Sequence, residues 1–356
     1  MPAVAADDGR PVRFTLLGPP VLSRSADLRD EPLRLDVARQ RSGWATARLV
    51  VVDEAGRAPV RWNGRAPQGP WGTDTDATAE LVTVPTVGDG PPDDAVLLGE
   101  ADGVAYWAVR NAAGGSVVRN AAGGGAVRNA EGGKADGVDL ADLRTAGAAL
   151  DALGAGLLTT AVAALNWHDA ARFCGRDGSP MHAEAAGWHR VCAAHGHEHY
   201  PRTDPAVICL VHDGGRGDAA RVLLARQPVW PEGRFSVLAG FVEAGESLEA
   251  CVLREIHEEV GVPVRDVAYL GSQAWPFPRS LMVGFQAVAD ADVPLRPAEG
   301  EIAEAMWVTR AELRRALRTG DWAGDATALG TAGETLRLPG AVSIARTMLD
   351  AWAAAD

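Results

Sequence analysis

Apolar and polar residues alternate in short runs over the first third of the chain. Ala47–Val52, Pro59–Trp62, Glu80–Val84, Ala95–Leu98 and Val104–Val109 read as strands, with a shorter candidate at Phe14–Leu17. Turn signals such as Asp53-Glu-Ala-Gly56 and Gly88-Asp-Gly-Pro91 separate them. Residues 1–138 therefore predict a mostly β N-terminal domain, in which no catalytic constellation is visible. Within it, residues 109–135 run through three nine-residue units, VRNAAGGSV, VRNAAGGGA and VRNAEGGKA. Ca²⁺-binding nonapeptide β-helices carry an aspartate in each unit, which is missing here, so the low apolar content predicts a flexible insert.

From Asp139 the period changes. Leu140, Leu143, Ala146, Leu150, Leu153, Leu157, Leu158, Val162 and Leu165 recur at helical spacing as far as Ala171. This predicts a helical connector over 139–171, divided in two at Gly154 and Gly156. Beyond residue 205 strands and helices mix. Ala206–His212 is a near-continuous apolar strand, Asp213–Asp218 a tight turn and Arg221–Arg226 a returning strand, and Phe235–Ala239 leads into an amphipathic helix. Val267–Gln273, Leu281–Val288 and Ala305–Thr309 follow as strands, Ala311–Leu317 and Ala341–Ala354 as helices. The fold class expected is α+β, with residues 205–356 as the C-terminal domain.

The amphipathic helix carries the first chemistry. Ser247 is placed to N-cap it and Gly261 to end it. At about 100° per residue, Val252, Leu253, Ile256 and Val260 share one arc, and Glu255, Glu258 and Glu259 another. Two carboxylates ~4 Å apart repel by roughly 4 kcal/mol at an effective dielectric of about 20. Hard divalent cations such as Mg²⁺ or Mn²⁺ relieve that repulsion, and diphosphate oxygens are natural further ligands. An isolated E-x-x-E-E run reads more readily as a solvated acidic face.

Composition narrows the compartment and the partners. The 356 residues suggest about two domains. A hydrophobic content of 47% allows real cores, and a net charge of −13 argues against a general polyanion-binding surface while leaving room for a local basic site. No apolar run approaches the roughly 20 residues of a membrane helix, and the first residues lack the basic and apolar regions of a signal peptide. Four cysteines, with Cys209 in an apolar strand and Cys251 in the amphipathic helix, make no disulfide framework and point to a reducing cytoplasm.

Residues 172–204 hold a second candidate constellation. Cys174-x2-Asp177 is followed, fourteen residues on, by Cys192-x2-His195, the spacing of a zinc ribbon with Asp177 and His195 in place of two cysteines. Three readings stay open: zinc on Cys174, Asp177, Cys192 and His195; a rearranged set drawing on His182, His189, His197 or His199; and a degenerate ribbon packed around Phe173 and Trp188.

Gly240, Glu246, Arg254, Glu255, Ile256, Glu258, Glu259, Gly261 and Val262 together satisfy G-x5-E-x7-R-E-U-x-E-E-x-G-U, with U apolar. Residues 240–262 thus resemble the box of the Nudix hydrolases at every fixed position. The resemblance implies an α/β/α sandwich and metal-dependent attack of water on a nucleoside diphosphate linked to another group. Residues 272–280, Ser-Gln-Ala-Trp-Pro-Phe-Pro-Arg-Ser, are similar to the SQPWPFPxS motif of the NAD(H) diphosphatases, a branch also described as removing NAD caps from RNA. Only Ala274 departs, loosening the loop by one proline. The likeness extends to Tyr200–Ile208 and the ribbon; it is good over about 140–350 and weak over 1–110.

The loop also has a physical reading. Trp275 and Phe277 offer faces for a base, Pro276 and Pro278 stiffen the backbone, and Gln273 and Ser280 offer hydrogen bonds. The resemblance implies further roles. Glu255, Glu259 and Glu301 bind divalent metal, with the Ala239 carbonyl as an added ligand. Glu258 is a further ligand or assists the water, and Arg254 pairs with Glu246. The segment Gln273–Ser280, including Ala274 and Arg279, contacts substrate together with Tyr200, Ala345 and Arg144. Gly187 stands where the family has a glutamate. The branch forms homodimers whose partner completes the site. The expected reaction is hydrolysis of NAD(H), or of an NAD 5′ end on RNA, to nicotinamide mononucleotide and AMP. ADP-ribose or a damaged nucleotide as substrate, and a non-catalytic binder, are the alternatives.

Overall fold

The computed structural model describes residues 12–64, 77–111, 138–319 and 336–355. Most of the nonapeptide insert lies outside them. The N-terminal strands are β1 (Arg48–Asp53), β2 (Arg57–Asn63), β3 (Thr78–Leu81), β4 (Val84–Pro85), β5 (Val96–Ala101), β6 (Val104–Asn111) and β7 (Val138–Asp142). They form two sheets, ordered β4-β1-β6-β5 and β3-β2-β7. β1 is apolar from Leu49 to Val52 because both its faces are covered there. Val50 and Val52 join the core under the long helix Ala152–Ala170, while Leu49 and Val51 pack with Trp44 and Trp107.

Several expectations are corrected in this half. Val138–Asp142 is a strand, not helix: it pairs with β2 from Arg57↔Asp142 to Arg61↔Val138, with Ala141 buried and Leu140 exposed. The helical connector therefore starts at Leu143. The long helix also runs unbroken through both glycines. Gly154 donates its N–H to the N-cap Asp151 at 2.7 Å. At Gly156 a Cβ would stand 2.9 Å from the Arg24 carbonyl oxygen, so the glycine permits close packing rather than a break. Glu80–Val84 divides between β3 and β4, which lie in different sheets. Phe14 is not in a strand; its N–H and C=O are met by the side-chain amide of Gln286, at 3.2 and 2.8 Å.

A small three-stranded sheet follows, ordered β10-β9-β8, from β8 (Met181–Glu184), β9 (His189–Cys192) and β10 (Glu198–His199). The C-terminal strands are β11 (Asp204–His212), β12 (Arg221–Arg226), β13 (Leu238–Phe241), β14 (Val264–Trp275), β15 (Ser280–Ala289) and β16 (Glu304–Thr309). Their order is β14-β15-β11-β12-β16, with β13 paired to the first half of β11. β11 and β15 run parallel, and the other pairs are antiparallel.

Period-two alternation assigns the faces of this sheet. Ile208, Leu210, Val222 and Leu224 pack on the C-terminal helix Ile344–Ala354. Val207, Cys209, Val211, Leu223 and Ala225 pack on the helix Leu248–Val260. This is the α/β/α sandwich expected. No helix among the described residues is long and apolar enough to cross a membrane.

Candidate active site

The helix Leu248–Val260 is built as its residues require. Ser247 Oγ accepts from the Ala250 N–H at 3.1 Å, and Gly261 closes the helix with φ of 73°. Val252, Ile256 and Val260 are at most 1% exposed, and burying each contributes roughly 1.5–3 kcal/mol. Leu253, expected on that arc, is exposed, and Cys251 takes its place in the core.

The carboxylates divide differently from the sequence expectation. Glu255 and Glu259 are buried with the core side of the helix, and only Glu258 faces solvent. Arg254 organises the group. Its Nε and Nη2 grip both oxygens of Glu246 at 2.8 and 2.9 Å, and Nη1 donates to Glu255 and Glu258 at 2.9 and 2.8 Å. Nη2 also donates to the Phe241 carbonyl at 3.0 Å, tying the loop after β13 to the helix. The guanidinium and the Glu243 N–H hold the Glu246 carboxyl down to about 2, well below the usual range.

Glu255 and Glu259 are shifted the opposite way. Burial raises both, and for Glu259 the neighbouring charges of Glu255 and Glu301 push its carboxyl up to about 8 against an opposing backbone hydrogen bond at Ala239. Glu301 is exposed and sits in a turn anchored on the helix end, where the Ala298 N–H donates to the Glu259 carbonyl at 2.9 Å.

Two observations test whether this group fits a divalent cation. Glu259 Oε2 is buried and has no hydrogen-bond partner. A Cβ on Gly240 would stand 1.8 Å from Glu255 Cδ, so the glycine on β13 leaves the space that the carboxylate fills. An orphaned buried oxygen beside two further carboxylates fits a hard cation with oxygen ligands.

A cavity of ≈ 270 Å³ opens from this cluster. Ala239 and Glu259 line it together with Trp275, Met282, Ile344 and Ala345. Ala345 lies in the first turn of the C-terminal helix, behind the N-cap Ser343. Trp275 ends β14, packs partly on the N-terminal core and meets Phe277 edge to face at 4.9 Å between centroids.

The rest of the loop differs from expectation. Gln273 is fully buried: its Oε1 accepts from the Leu22 N–H at 3.2 Å and its Nε2 donates to the Val342 carbonyl at 3.1 Å. Its amide clamps the N-terminal segment to the C-terminal domain, and at 0% exposure it is closed to substrate. Arg144, placed by the short helix Leu143–Ala146, lies 3.6 Å over the Phe277 ring, so one face of Phe277 is occupied. Asn166 Nδ2 donates to the Pro276 carbonyl at 3.2 Å, and Arg279 pairs with Asp204 at 2.7 Å. Ala274 pairs with Leu281 inside the strands, so the departure from the motif lies before the turn, not in it; Ser280 pairs across from Trp275, and Pro278 is exposed at the tip. Tyr200 is exposed, donates its hydroxyl to Glu198 at 2.6 Å and does not line the cavity.

In the ribbon, Cys174, Asp177, Cys192 and His197 bring their ligand atoms within 4.8 Å of one another. His197 replaces His195 in the expected set. The turn after Cys192 bends back at Gly196, φ 66°, and the Cys192 N–H donates to the His197 carbonyl at 2.9 Å, which lays His197 beside the thiol. His195 sits at the exposed apex and holds Asp177 Oδ2 at 2.7 Å. The Ser179 N–H and then His195 hold the Asp177 carboxyl well below its ordinary range. All four cysteines are free, and Gly187 is packed against Val96 with no side chain to offer. Sequence reasoning missed Gln227 and Trp230, which line the cavity from the turn after β12 and belong to no motif.

Comparison with known proteins agrees with this geometry. The NUDIX domain model matches residues 202–329, and the NADH pyrophosphatase zinc ribbon domain model matches residues 169–200. The NAD-capped RNA hydrolase NudC of Mycobacterium tuberculosis (strain ATCC 25618 / H37Rv) is 47% identical over 97% of this chain and 98% of its own length. The Stutzerimonas stutzeri protein of the same name is 50% identical over 40% of this chain and 49% of its own. The human mitochondrial NAD(P)H pyrophosphatase NUDT13 is 42% identical over 50% of this chain and 49% of its own. With the box, the ribbon and a full-length relative in agreement, the chain belongs to the Nudix hydrolases, in the branch that carries the NADH pyrophosphatase zinc ribbon domain.

Proposed function

We propose that the protein hydrolyses the diphosphate bond of NAD(H), and of RNA bearing an NAD 5′ end, leaving nicotinamide mononucleotide and a 5′-AMP end. The observation that carries this reading is the single cavity in which Trp275 and Glu259 meet. An aromatic platform beside a carboxylate cluster suits a molecule that joins flat bases through a diphosphate. The names of the relatives, an NAD-capped RNA hydrolase and an NAD(P)H pyrophosphatase, support the same substrate class.

Glu255, Glu259 and Glu301, with the Ala239 carbonyl, would hold Mg²⁺ or Mn²⁺. Such a cation neutralises the diphosphate and lowers the pKa of water. Arg254 orients the cluster by fixing one oxygen each of Glu255 and Glu258. The other oxygen of the exposed Glu258 is left to take the proton of the attacking water. Water oxygen bonds to one phosphorus, and the bridging oxygen leaves with its electron pair on the other phosphate. Trp275 supplies the stacking face, while Phe277 and Arg144 brace it from behind. Zinc on Cys174, Asp177, Cys192 and His197, a homodimer and a cytoplasmic location complete the reading; four free cysteines suit a reducing compartment.

The test is a side-by-side measurement of kcat/KM with NADH, NAD⁺, ADP-ribose and NAD-capped RNA, for the wild type and for Glu258→Gln. NAD(H) or its capped RNA should lead, and the variant should fold normally while losing most turnover. ADP-ribose as the preferred substrate, or Glu258→Gln at wild-type turnover, would contradict it.

A further inference from the structure

Gln227 and Trp230 line the same cavity as Trp275 and Glu259. Both sit on the turn after β12, and the turn is pinned. The Trp230 N–H donates to the Gln227 carbonyl at 3.0 Å, and Arg226 Nη1 donates to the Trp230 carbonyl at 3.1 Å. Arg226 Nε in turn lies 3.6 Å from Glu304 on β16. Both residues thus line the cavity from anchored backbone.

The two glutamines of this region differ in one respect. Gln273 has both ends of its amide bonded to backbone, whereas the Gln227 side chain bonds to no described residue. Of the two, Gln227 is the one that lines the cavity with its amide uncommitted. A primary amide sets a donor beside an acceptor, and this pattern matches a base edge with an adjacent N–H and lone pair, as in the pairing of glutamine with adenine. Trp230 lines the same cavity, and an indole is a group on which such a base stacks.

We infer that Gln227 and Trp230 form a base-recognition subsite, which reads a planar heteroaromatic group through paired donor and acceptor hydrogen bonds and stacking. The inference rests on the NAD(H) reading above. In such a dinucleotide two groups carry the required edge, the nicotinamide carboxamide and the amino-bearing edge of adenine. Turning the carboxamide into a carboxylate removes the donor from the first, and replacing adenine by hypoxanthine removes it from the N6/N7 edge of the second, the edge that glutamine pairs with.

The experiment is steady-state kinetics of the wild type, Gln227→Leu and Trp230→Leu with three substrates: NAD⁺, nicotinic acid adenine dinucleotide and nicotinamide hypoxanthine dinucleotide. The wild type should discriminate against one analogue. Gln227→Leu should raise KM for NAD⁺ about tenfold or more, change kcat far less and erase that discrimination. The analogue for which discrimination vanishes identifies the ring bound. Trp230→Leu should raise KM for all three. Melting temperature and Mn²⁺ affinity should stay at wild-type values in both variants. A Gln227→Leu enzyme with wild-type KM, or a wild type indifferent to both analogues, overturns the inference and leaves the NAD(H) reading intact. A wild type that cleaves no dinucleotide overturns both.

Discussion

Gly240 and Glu255 are fitted to each other: a Cβ on the glycine would stand 1.8 Å from the glutamate Cδ and 2.1 Å from each of its oxygens. The only way to add a methyl group is to expel the carboxylate. Gly240→Ala should therefore lower divalent-metal affinity and turnover by about a hundredfold or more, as expected when a ligand loses its orientation. Mn²⁺ titration calorimetry beside NADH turnover would check this. Wild-type Mn²⁺ affinity in the variant would contradict the fit.

Gln273 gives the opposite expectation, loss of stability with little loss of chemistry. Gln273→Ala leaves the Leu22 N–H and the Val342 carbonyl without partners in a fully buried place. Two orphaned backbone groups cost about 2–5 kcal/mol together. Urea unfolding should show that loss, while KM for NADH changes less than about threefold in protein that remains folded. A large rise in KM at unchanged stability would return Gln273 to the substrate site.

The difference between these two residues shows what was legible in the sequence. The box could be read because its spacing places Arg254, Glu255, Glu258 and Glu259 on one short helix, where local geometry settles their relation. The central strands of the C-terminal sheet could be read as near-continuous apolar runs, because helices cover both faces of the sheet. Gln273 could not, since its partners Leu22 and Val342 are distant in the chain and are met only through tertiary packing. The strand Val138–Asp142 was hidden for the same reason: Leu140 matched a helical period by chance, and pairing with β2 overrode it. His197 stood only as one of four histidines open to a rearranged set, because knuckle spacing marks His195, whereas the bend at Gly196 decides which imidazole faces the thiols.

Metal content separates the two histidines of the ribbon. His197→Ala should lose zinc on purification, and His195→Ala should retain it with weaker affinity, because His195 acts through Asp177. Elemental mass spectrometry of the two proteins decides the matter. Zinc lost only from His195→Ala would restore the spacing-based ligand set.

His212 predicts an acid limb of stability. It is 1% exposed between Phe14 and Trp352, and Nδ1 accepts from the Gly214 N–H at 3.1 Å, which favours the neutral ring. Burial, helped by Arg310 and opposed by Asp213, pulls its pKa down to about 4. The unfolded chain protonates first, near the ordinary value of about 6.5, so stability is full above that pH and falls as pH drops toward 4. The contribution over this window is about 3 kcal/mol. His212→Gln should reduce the difference in unfolding free energy between pH 7 and pH 4.5 by about 2 kcal/mol, the part of that contribution lost by pH 4.5. An unchanged difference would remove His212 as the cause.

The most direct test of the account is to identify the products of NADH incubated with the Mn²⁺-loaded protein, by quantitative mass spectrometry. Hydrolysis at the carboxylate cluster predicts AMP and reduced nicotinamide mononucleotide in equal amounts. Intact NADH, or nicotinamide released with ADP-ribose, would contradict it.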